Sequence, residues 1–161
     1  MSNPCILSLA ALRASLEVYN ETTMEAIRTK SVQLTGYLER LLRTAFLLGG
    51  DGADVSPRPQ PPFEIITPHD PEQRGAQLSL LFLPGLMMPV FNHLAGQGVV
   101  VDERKPDVIR VAPLPLVNSF EDCWQFVRAL ERALGDVRGH RGDTEASAVE
   151  QAARAMGAAS L

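Results

Sequence analysis

An arginine at the end of a short apolar segment is the residue of this 161-residue chain best placed to do chemistry. Residues 108–112 predict a β-strand, and Pro113 and Pro115 end it because proline has no backbone N–H to donate. Arg110 therefore lies where the strand gives way to a loop, ahead of a helix that begins at Ser119. Its planar guanidinium can bind a carboxylate through two parallel hydrogen bonds, which a lysine cannot do. The sequence predicts either a carboxylate-binding site here or an ion pair with a nearby Asp or Glu, which is the commoner arrangement.

A run of mixed charges, Asp102-Glu103-Arg104-Lys105, comes shortly before this strand. Such a run is typical of a solvated turn, and the exposed ion pairs in such a turn contribute little to stability. The alternative is that Arg104 supports the strand that carries Arg110.

The other residue types with metal or nucleophile chemistry do not form a site. His69, His93 and His140 share no metal-ligand spacing, so the sequence predicts no metal site. Cys5 and Cys123 are too few and too far apart for a disulfide framework. Each lies in an apolar stretch with a helical pattern, and we expect both to be reduced residues of the core.

Two helices are predicted to fill a first segment, residues 1–48. Apolar residues at helical spacing indicate one helix over residues 6–20 and a longer one that starts at Thr22 or Thr23. Residues 49–62 are rich in proline and glycine, and they predict an exposed linker.

Residues 63–135 are predicted to form a small α+β domain. Short β patterns occur at residues 63–67, 77–83, 99–102 and 108–112, and helical patterns at residues 89–95 and 119–134. This order predicts a small, mostly antiparallel four-stranded sheet with helices on one face, preceded by the two helices. The last helix carries an apolar stripe that should cover the sheet, made of Phe120, Trp124, Phe126, Val127, Leu130 and Leu134. Residues 136–161 are expected to form a frayed helix or a flexible tail.

Composition narrows the class of protein. The chain is 45% hydrophobic and 21% charged, which suits one modest core. Its formal net charge of -4 gives no electrostatic case for a nucleic acid or an anionic membrane as partner. Because the sequence has neither a long apolar run nor a signal pattern at Met1, we expect a soluble cytoplasmic protein.

Several blocks of the sequence closely resemble the C-terminal segment of kynureninases. Three of them are Gln73-Arg74-Gly75-Ala76-Gln77-Leu78-Ser79, Gly98-Val99-Val100-Val101-Asp102-Glu103-Arg104-Lys105-Pro106 and Ile109-Arg110-Val111-Ala112-Pro113-Leu114-Pro115-Leu116-Val117-Asn118-Ser119-Phe120. Further blocks are Ser2-Asn3-Pro4, Arg13-Ala14-Ser15-Leu16 and Lys30-Ser31-Val32-Gln33-Leu34-Thr35-Gly36-Tyr37-Leu38-Glu39. The blocks occur in the right order from Ser2 to about Leu134, which makes the match far more specific than a lone motif.

The resemblance implies the small domain of a fold-type I enzyme that uses pyridoxal 5'-phosphate. Kynureninases are homodimers that hydrolyse the Cβ–Cγ bond of L-kynurenine or 3-hydroxykynurenine, giving (3-hydroxy)anthranilate and L-alanine, in tryptophan degradation and de novo NAD biosynthesis. By this resemblance Arg110 occupies the position that binds the substrate carboxylate, and Asn3, with Ser2 beside it, lines the pocket near the aromatic ring of the substrate. From the sequence alone, Asn3 is more simply a residue at a helix entry.

The chain departs from the family pattern at its cofactor residues. The Schiff-base lysine of the family lies upstream of the matched region, in the large cofactor-binding domain, and neither Lys30 nor Lys105 matches it. The chain alone is therefore expected to be inactive. Two functions remain open: the C-terminal part of a kynureninase, or a stand-alone noncatalytic module that pairs with another protein or binds a carboxylate.

Overall fold

The computed structural model describes residues 4–47 and 60–158, with side chains as far as residue 139. Residues 49–59, most of the predicted linker, lie outside the described residues. Within the described ranges, no helix is both long enough and apolar enough to cross a membrane.

Two helices precede the sheet, as predicted. Helix α1 spans Ile6–Tyr19 and helix α2 spans Met24–Leu42, and a π-helical turn at Arg43–Leu47 continues α2. The hydroxyl of Thr23 caps α2 by accepting a hydrogen bond from the N–H of Ala26 at 3.1 Å. One of the two threonines expected to start this helix is therefore its cap.

A four-stranded antiparallel sheet follows, in the order β1-β2-β4-β3. The strands are β1 at Phe63–Ile65, β2 at Leu78–Phe82, β3 at Asp102–Arg104 and β4 at Val108–Val111. Helix α3, at Met87–Gly96, connects β2 to β3. The α+β fold is confirmed, but β3 begins at the residue where its prediction over 99–102 ended.

The core lies on one face of the sheet. Alternate strand residues point into it, and these are Phe63, Ile65, Leu78, Leu80, Phe82, Ile109 and Val111. Helices α2, α3 and α4 cover this face with Leu34, Leu38, Leu42, Met87, Val90, Leu94, Val127, Leu130 and Leu134. The opposite face of the sheet, defined here as the outer face, presents the intervening residues of β2 and β4, and these are not buried.

Helix α4 spans Phe120–Ala158 and begins with a reciprocal cap. The Oδ2 of Asp122 accepts a hydrogen bond from the Ser119 N–H at 2.7 Å, and the Ser119 hydroxyl accepts one from the Asp122 N–H at 3.2 Å. The sequence predicts a helix to Leu134 followed by a frayed helix or a flexible tail, and in the structure helix extends through to Ala158. This segment contains no proline and is rich in alanine, which favours helix.

The prediction that Phe120 and Trp124 belong to the core is wrong. Each is 45% exposed, whereas Phe126, Val127, Leu130 and Leu134 are buried as predicted. Phe120 packs edge-on against Tyr37 at 5.4 Å between ring centroids, and the guanidinium of Arg128 lies 6.0 Å from the centroid of the Trp124 ring. Both aromatic rings therefore lie at the rim of the core.

Candidate functional site

Arg110 lies in β4 on the outer face of the sheet. Its neighbours Ile109 and Val111 are buried under the helices, so the alternation of the strand directs Arg110 to the other side. In the sheet register, Ser79 of β2 and Asp102 of β3 are its direct partners. The side chain of Arg110 is 30% exposed and is therefore accessible from this face.

A carboxylate of the same chain holds the guanidinium of Arg110. The Oδ2 of Asp102 accepts hydrogen bonds from Nε of Arg110, at 2.8 Å, and from its Nη2. The Nη2 of Arg104 lies 3.0 Å from the same oxygen. The ion pair that the sequence left open as an alternative is therefore present, and Arg104 does contact the partner of Arg110.

This triad, defined as Asp102, Arg104 and Arg110, has two positive charges and one negative charge. All three side chains are on adjacent strands of the sheet, with Arg104 and Asp102 on β3 and Arg110 on β4. Because positive charge exceeds negative charge within the triad, it favours an anion on the outer face. A carboxylate matches the planar fork of a guanidinium, as a phosphate also does.

The other two residues that the resemblance placed near the substrate, Ser2 and Asn3, lie outside the described residues. Both lysines, Lys30 and Lys105, are exposed. Lys30 lies in the middle of α2, and the Nζ of Lys105, in the turn after β3, is 3.8 Å from Oε1 of Glu103. Neither side chain has the enclosed position that a covalent link to pyridoxal phosphate requires, so these residues do not fit the cofactor.

A second charged cluster, which sequence reasoning missed, surrounds the buried carboxylate of Glu39. Its Oε1 accepts hydrogen bonds from Arg43 Nε at 2.8 Å and lies 2.7 Å from His69 Nδ1, while its Oε2 accepts one from Arg74 Nη1 at 2.5 Å. Burial raises the pKa of the Glu39 carboxyl, but the hydrogen bonds from Arg74, His69 and Arg43 outweigh it and lower the pKa to about 2. Glu39 is therefore ionised throughout the physiological pH range.

This cluster fixes the loop before β2 to helix α2. The side chain of Arg74 is almost fully buried, at 3% exposure, and its Nη1 also donates to the carbonyl of Pro68 at 3.2 Å. Its Nε is buried without a hydrogen-bond partner among the described residues. The cluster borders a cavity of about 600 Å³ that Val32 and Gly36 also line. The sequence could indicate the burial of Glu39, though not its partners, because Glu39 follows Thr35 by four residues on the buried stripe of α2.

The remaining histidines and the cysteines are not part of the triad or of the Glu39 cluster. His93 Nε2 lies 3.4 Å from Asp136 Oδ2, far along the chain from the Glu39 cluster, and the side chain of His140 lies outside the described residues. No group of side chains that could hold a metal ion occurs in the described part of the chain. Cys123 is buried, which raises the pKa of its thiol to about 11, but Cys5 is exposed and the prediction that it is a core residue is wrong.

The sequence of this chain is similar to those of known proteins of one family. The family model described as "Kynureninase C-terminal domain" matches residues 27–130. A "Kynureninase" of Coccidioides immitis is 53% identical over 128 residues, which are 80% of this chain and 25% of that protein. A "Kynureninase 1" of Aspergillus oryzae is 54% identical over 126 residues, covering 78% of this chain and 24% of that protein. This chain thus spans about a quarter of the length of these relatives.

Proposed function

The chain belongs to the kynureninase family, as its C-terminal domain, and from that membership we propose that it supplies the substrate-carboxylate site of a kynureninase. The observation that supports this proposal is Arg110, a partly exposed guanidinium on the face of the sheet that no described helix covers, held there by Asp102. The complete protein would hydrolyse the Cβ–Cγ bond of L-kynurenine or 3-hydroxykynurenine, and its products would be (3-hydroxy)anthranilate and L-alanine.

The contribution of Arg110 would be to orient the substrate as well as to bind it. A carboxylate held by two parallel hydrogen bonds cannot rotate freely, so the bond to be broken keeps one direction relative to the reacting groups. The excess positive charge of the triad adds electrostatic attraction for the carboxylate. Ser2 and Asn3 are proposed, from the family pattern alone, to line the pocket near the aromatic ring.

Pyridoxal phosphate would be bound by the part of the protein that corresponds to the other three quarters of the relatives. This proposal is supported by the length of the relatives and by the exposed positions of both lysines of this chain. When bound there, the cofactor supplies the electron sink for cleavage. From the family we also propose a homodimer located in the cytoplasm.

One observation favours a second candidate function, a noncatalytic module. Because neither Lys30 nor Lys105 fits the cofactor, a chain that acted alone could bind a carboxylate through Arg110 without converting it. The experiment below separates the two candidates, because only an enzyme domain can restore turnover.

The test is a chimera in which this chain replaces the matching C-terminal part of the Coccidioides immitis kynureninase. We expect the chimera to bind pyridoxal phosphate and to release anthranilate from L-kynurenine, followed by its fluorescence. A chimera that folds and binds the cofactor but releases no anthranilate would contradict the enzyme domain and favour the module.

Arg110 is tested in the same chimera by the substitutions Arg110→Lys and Arg110→Ala. Lysine cannot form the two parallel bonds, so Arg110→Lys should reduce kcat/KM by an amount corresponding to about 2 to 5 kcal/mol while cofactor absorbance stays unchanged. Arg128→Lys is the matched control, because Arg128 is exposed on α4 and contacts Glu131, at 2.7 Å, and the Trp124 ring within that same helix. Equal kcat/KM for Arg110→Lys and the unsubstituted chimera would remove Arg110 from the site.

A further inference from the structure

We propose that Asp102 is the positioning residue of the carboxylate site: it holds one edge of the Arg110 guanidinium so that the other edge faces the substrate, and Arg104 keeps Asp102 in place. This inference rests on the proposed function of Arg110. It assigns a role to β3, one of the two edge strands of the sheet, whose side chains do not contribute to the buried core.

The hydrogen bonds divide the guanidinium into two edges. Asp102 Oδ2 accepts from Nε and from Nη2 of Arg110, and these two nitrogens form the side edge of the guanidinium. Nη1 makes no hydrogen bond within the described part of the chain, so the end edge, formed by Nη1 and Nη2, is open. That end edge has the spacing for two parallel hydrogen bonds to a second carboxylate.

The position of Asp102 is itself fixed. It lies directly opposite Arg110 in the antiparallel register of β3 and β4, where side chains on the same face are close neighbours. Arg104, two residues later on the same strand and the same face, approaches Asp102 Oδ2 to 3.0 Å. An arginine side chain has many rotamers. The contacts of Asp102 with Arg110 and with Arg104 restrict the rotamers of Arg110 before a substrate binds.

The charges of the triad permit this role. Asp102 alone with Arg110 would neutralise the guanidinium, but Arg104 leaves the group with a net charge of +1. Glu103 lies between Asp102 and Arg104 on β3, opposite Ile109, so its side chain points to the other face of the strand, where its Oε1 is 3.8 Å from Lys105 Nζ. The neutral Ser79 lies opposite Arg110 on β2. A substrate carboxylate would therefore meet an attractive site.

The opposite hypothesis is that Asp102 occupies the place of the substrate carboxylate and must be displaced from Arg110. The two hypotheses predict opposite changes in kcat/KM when Asp102 is replaced. Removing a positioning residue weakens productive binding, whereas removing a competitor strengthens it.

The experiment is a double-mutant cycle in the active chimera, with Asp102→Asn, Arg110→Ala and the double variant. We expect Asp102→Asn to lower kcat/KM for L-kynurenine by roughly 10- to 100-fold with unchanged cofactor absorbance, since a misplaced orienting group has effects of that size. Because Asp102 acts through Arg110, the double variant should be no worse than Arg110→Ala alone, within about threefold. Asp102→Glu should recover part of the loss, and Glu103→Gln, the matched control on the same strand, should leave kcat/KM unchanged.

The outcomes separate this inference from the proposed function beneath it. If Arg110→Ala is impaired but Asp102→Asn is unaffected or improved, Asp102 is not a positioning residue while Arg110 remains the carboxylate site. Additive losses in the double variant would also overturn the inference, because they indicate an independent structural role. If Arg110→Ala itself has no effect, the proposed function fails. If the Asp102→Asn variant does not fold, Arg104→Gln is measured in the same way. We expect it to lower kcat/KM by a smaller factor than the one expected for Asp102→Asn.

Discussion

The buried carboxylate of Glu39 is held by hydrogen bonds from two arginines and a histidine. Its partners come from two places, since Arg43 lies one turn further along the helical segment while Arg74 and His69 belong to the loop before β2. An ionised carboxylate at 3% exposure is stable only when hydrogen bonds replace its hydration. The same loop leads into β2, whose Ser79 lies opposite Arg110 in the sheet register.

Replacing Glu39 by glutamine should destabilise the protein in a pH-dependent way. The pKa of Glu39 falls from an ordinary 4.5 to about 2 on folding, so its stabilising contribution is fully present above pH 4.5 and is lost as the pH falls towards 2. We expect Glu39→Gln to lower the free energy of unfolding at pH 7 by about 2 to 4 kcal/mol, and by much less near pH 2, measured by urea denaturation. Glu17→Gln is the control, because Glu17 pairs with Arg13 in an exposed position on α1. An effect of Glu39→Gln that did not change between these pH values would contradict the assigned pKa.

Of the candidate site, the sequence predicts that Arg110 lies in a strand and can form an ion pair, but not which carboxylate is its partner. The prolines after residue 112 place Arg110 at the end of a strand, because proline ends a β ladder for local reasons. The contact with Asp102 depends on the register of two strands, and the turn between them did not specify which residues would be opposite each other. The Glu39 cluster joins residues separated by up to 35 positions, and such a pairing has no local signal.

At the scale of elements, α4 shows why the apolar stripe of a helix is not always its buried face. The buried residues of α4 include Cys123, Ala129 and Ala133, small side chains that let α2 and α3 approach closely. The large rings of Phe120 and Trp124 therefore remain at the rim. The position of β3 also differs from its prediction. The apolar residues 99–101 favour a strand, but the residues that pair with β4 are the polar ones that follow them.

This rim position leads to a prediction about stability. Leu130→Ala removes a fully buried side chain and should lower the free energy of unfolding by about 2 to 5 kcal/mol, because it leaves a cavity in the core. Trp124→Ala removes a larger side chain that is 45% exposed, and its cost should be clearly smaller than that of Leu130→Ala. Chemical denaturation of both variants provides the measurement. A cost for Trp124→Ala equal to or above that of Leu130→Ala would restore Trp124 to the core.

At the scale of the whole molecule, two apolar or charged surfaces have no cover within the described residues. One is the outer face of the sheet, which carries the triad. The other is helix α1, of which no residue is buried although Leu9, Leu12, Leu16 and Tyr19 recur at helical spacing along it. An apolar helix face of this kind is characteristic of a surface that meets another protein or another domain. In the proposed enzyme, the part corresponding to the remaining three quarters of the relatives would cover it.

The uncovered α1 predicts that the 161-residue chain associates with itself when produced alone. Burying each large apolar side chain contributes about 1.5 to 3 kcal/mol, so several of them favour association even at modest protein concentration. We expect sedimentation velocity to show species larger than a monomer that grow with concentration, and the double variant Leu12→Glu, Leu16→Glu to shift the chain towards the monomer. Val100→Glu is the matched control, because Val100 is 96% exposed outside α1 and should leave the distribution unchanged. A chain that sediments as a monomer throughout would show that α1 needs no cover, and it would favour the noncatalytic module over a domain that depends on the rest of a kynureninase.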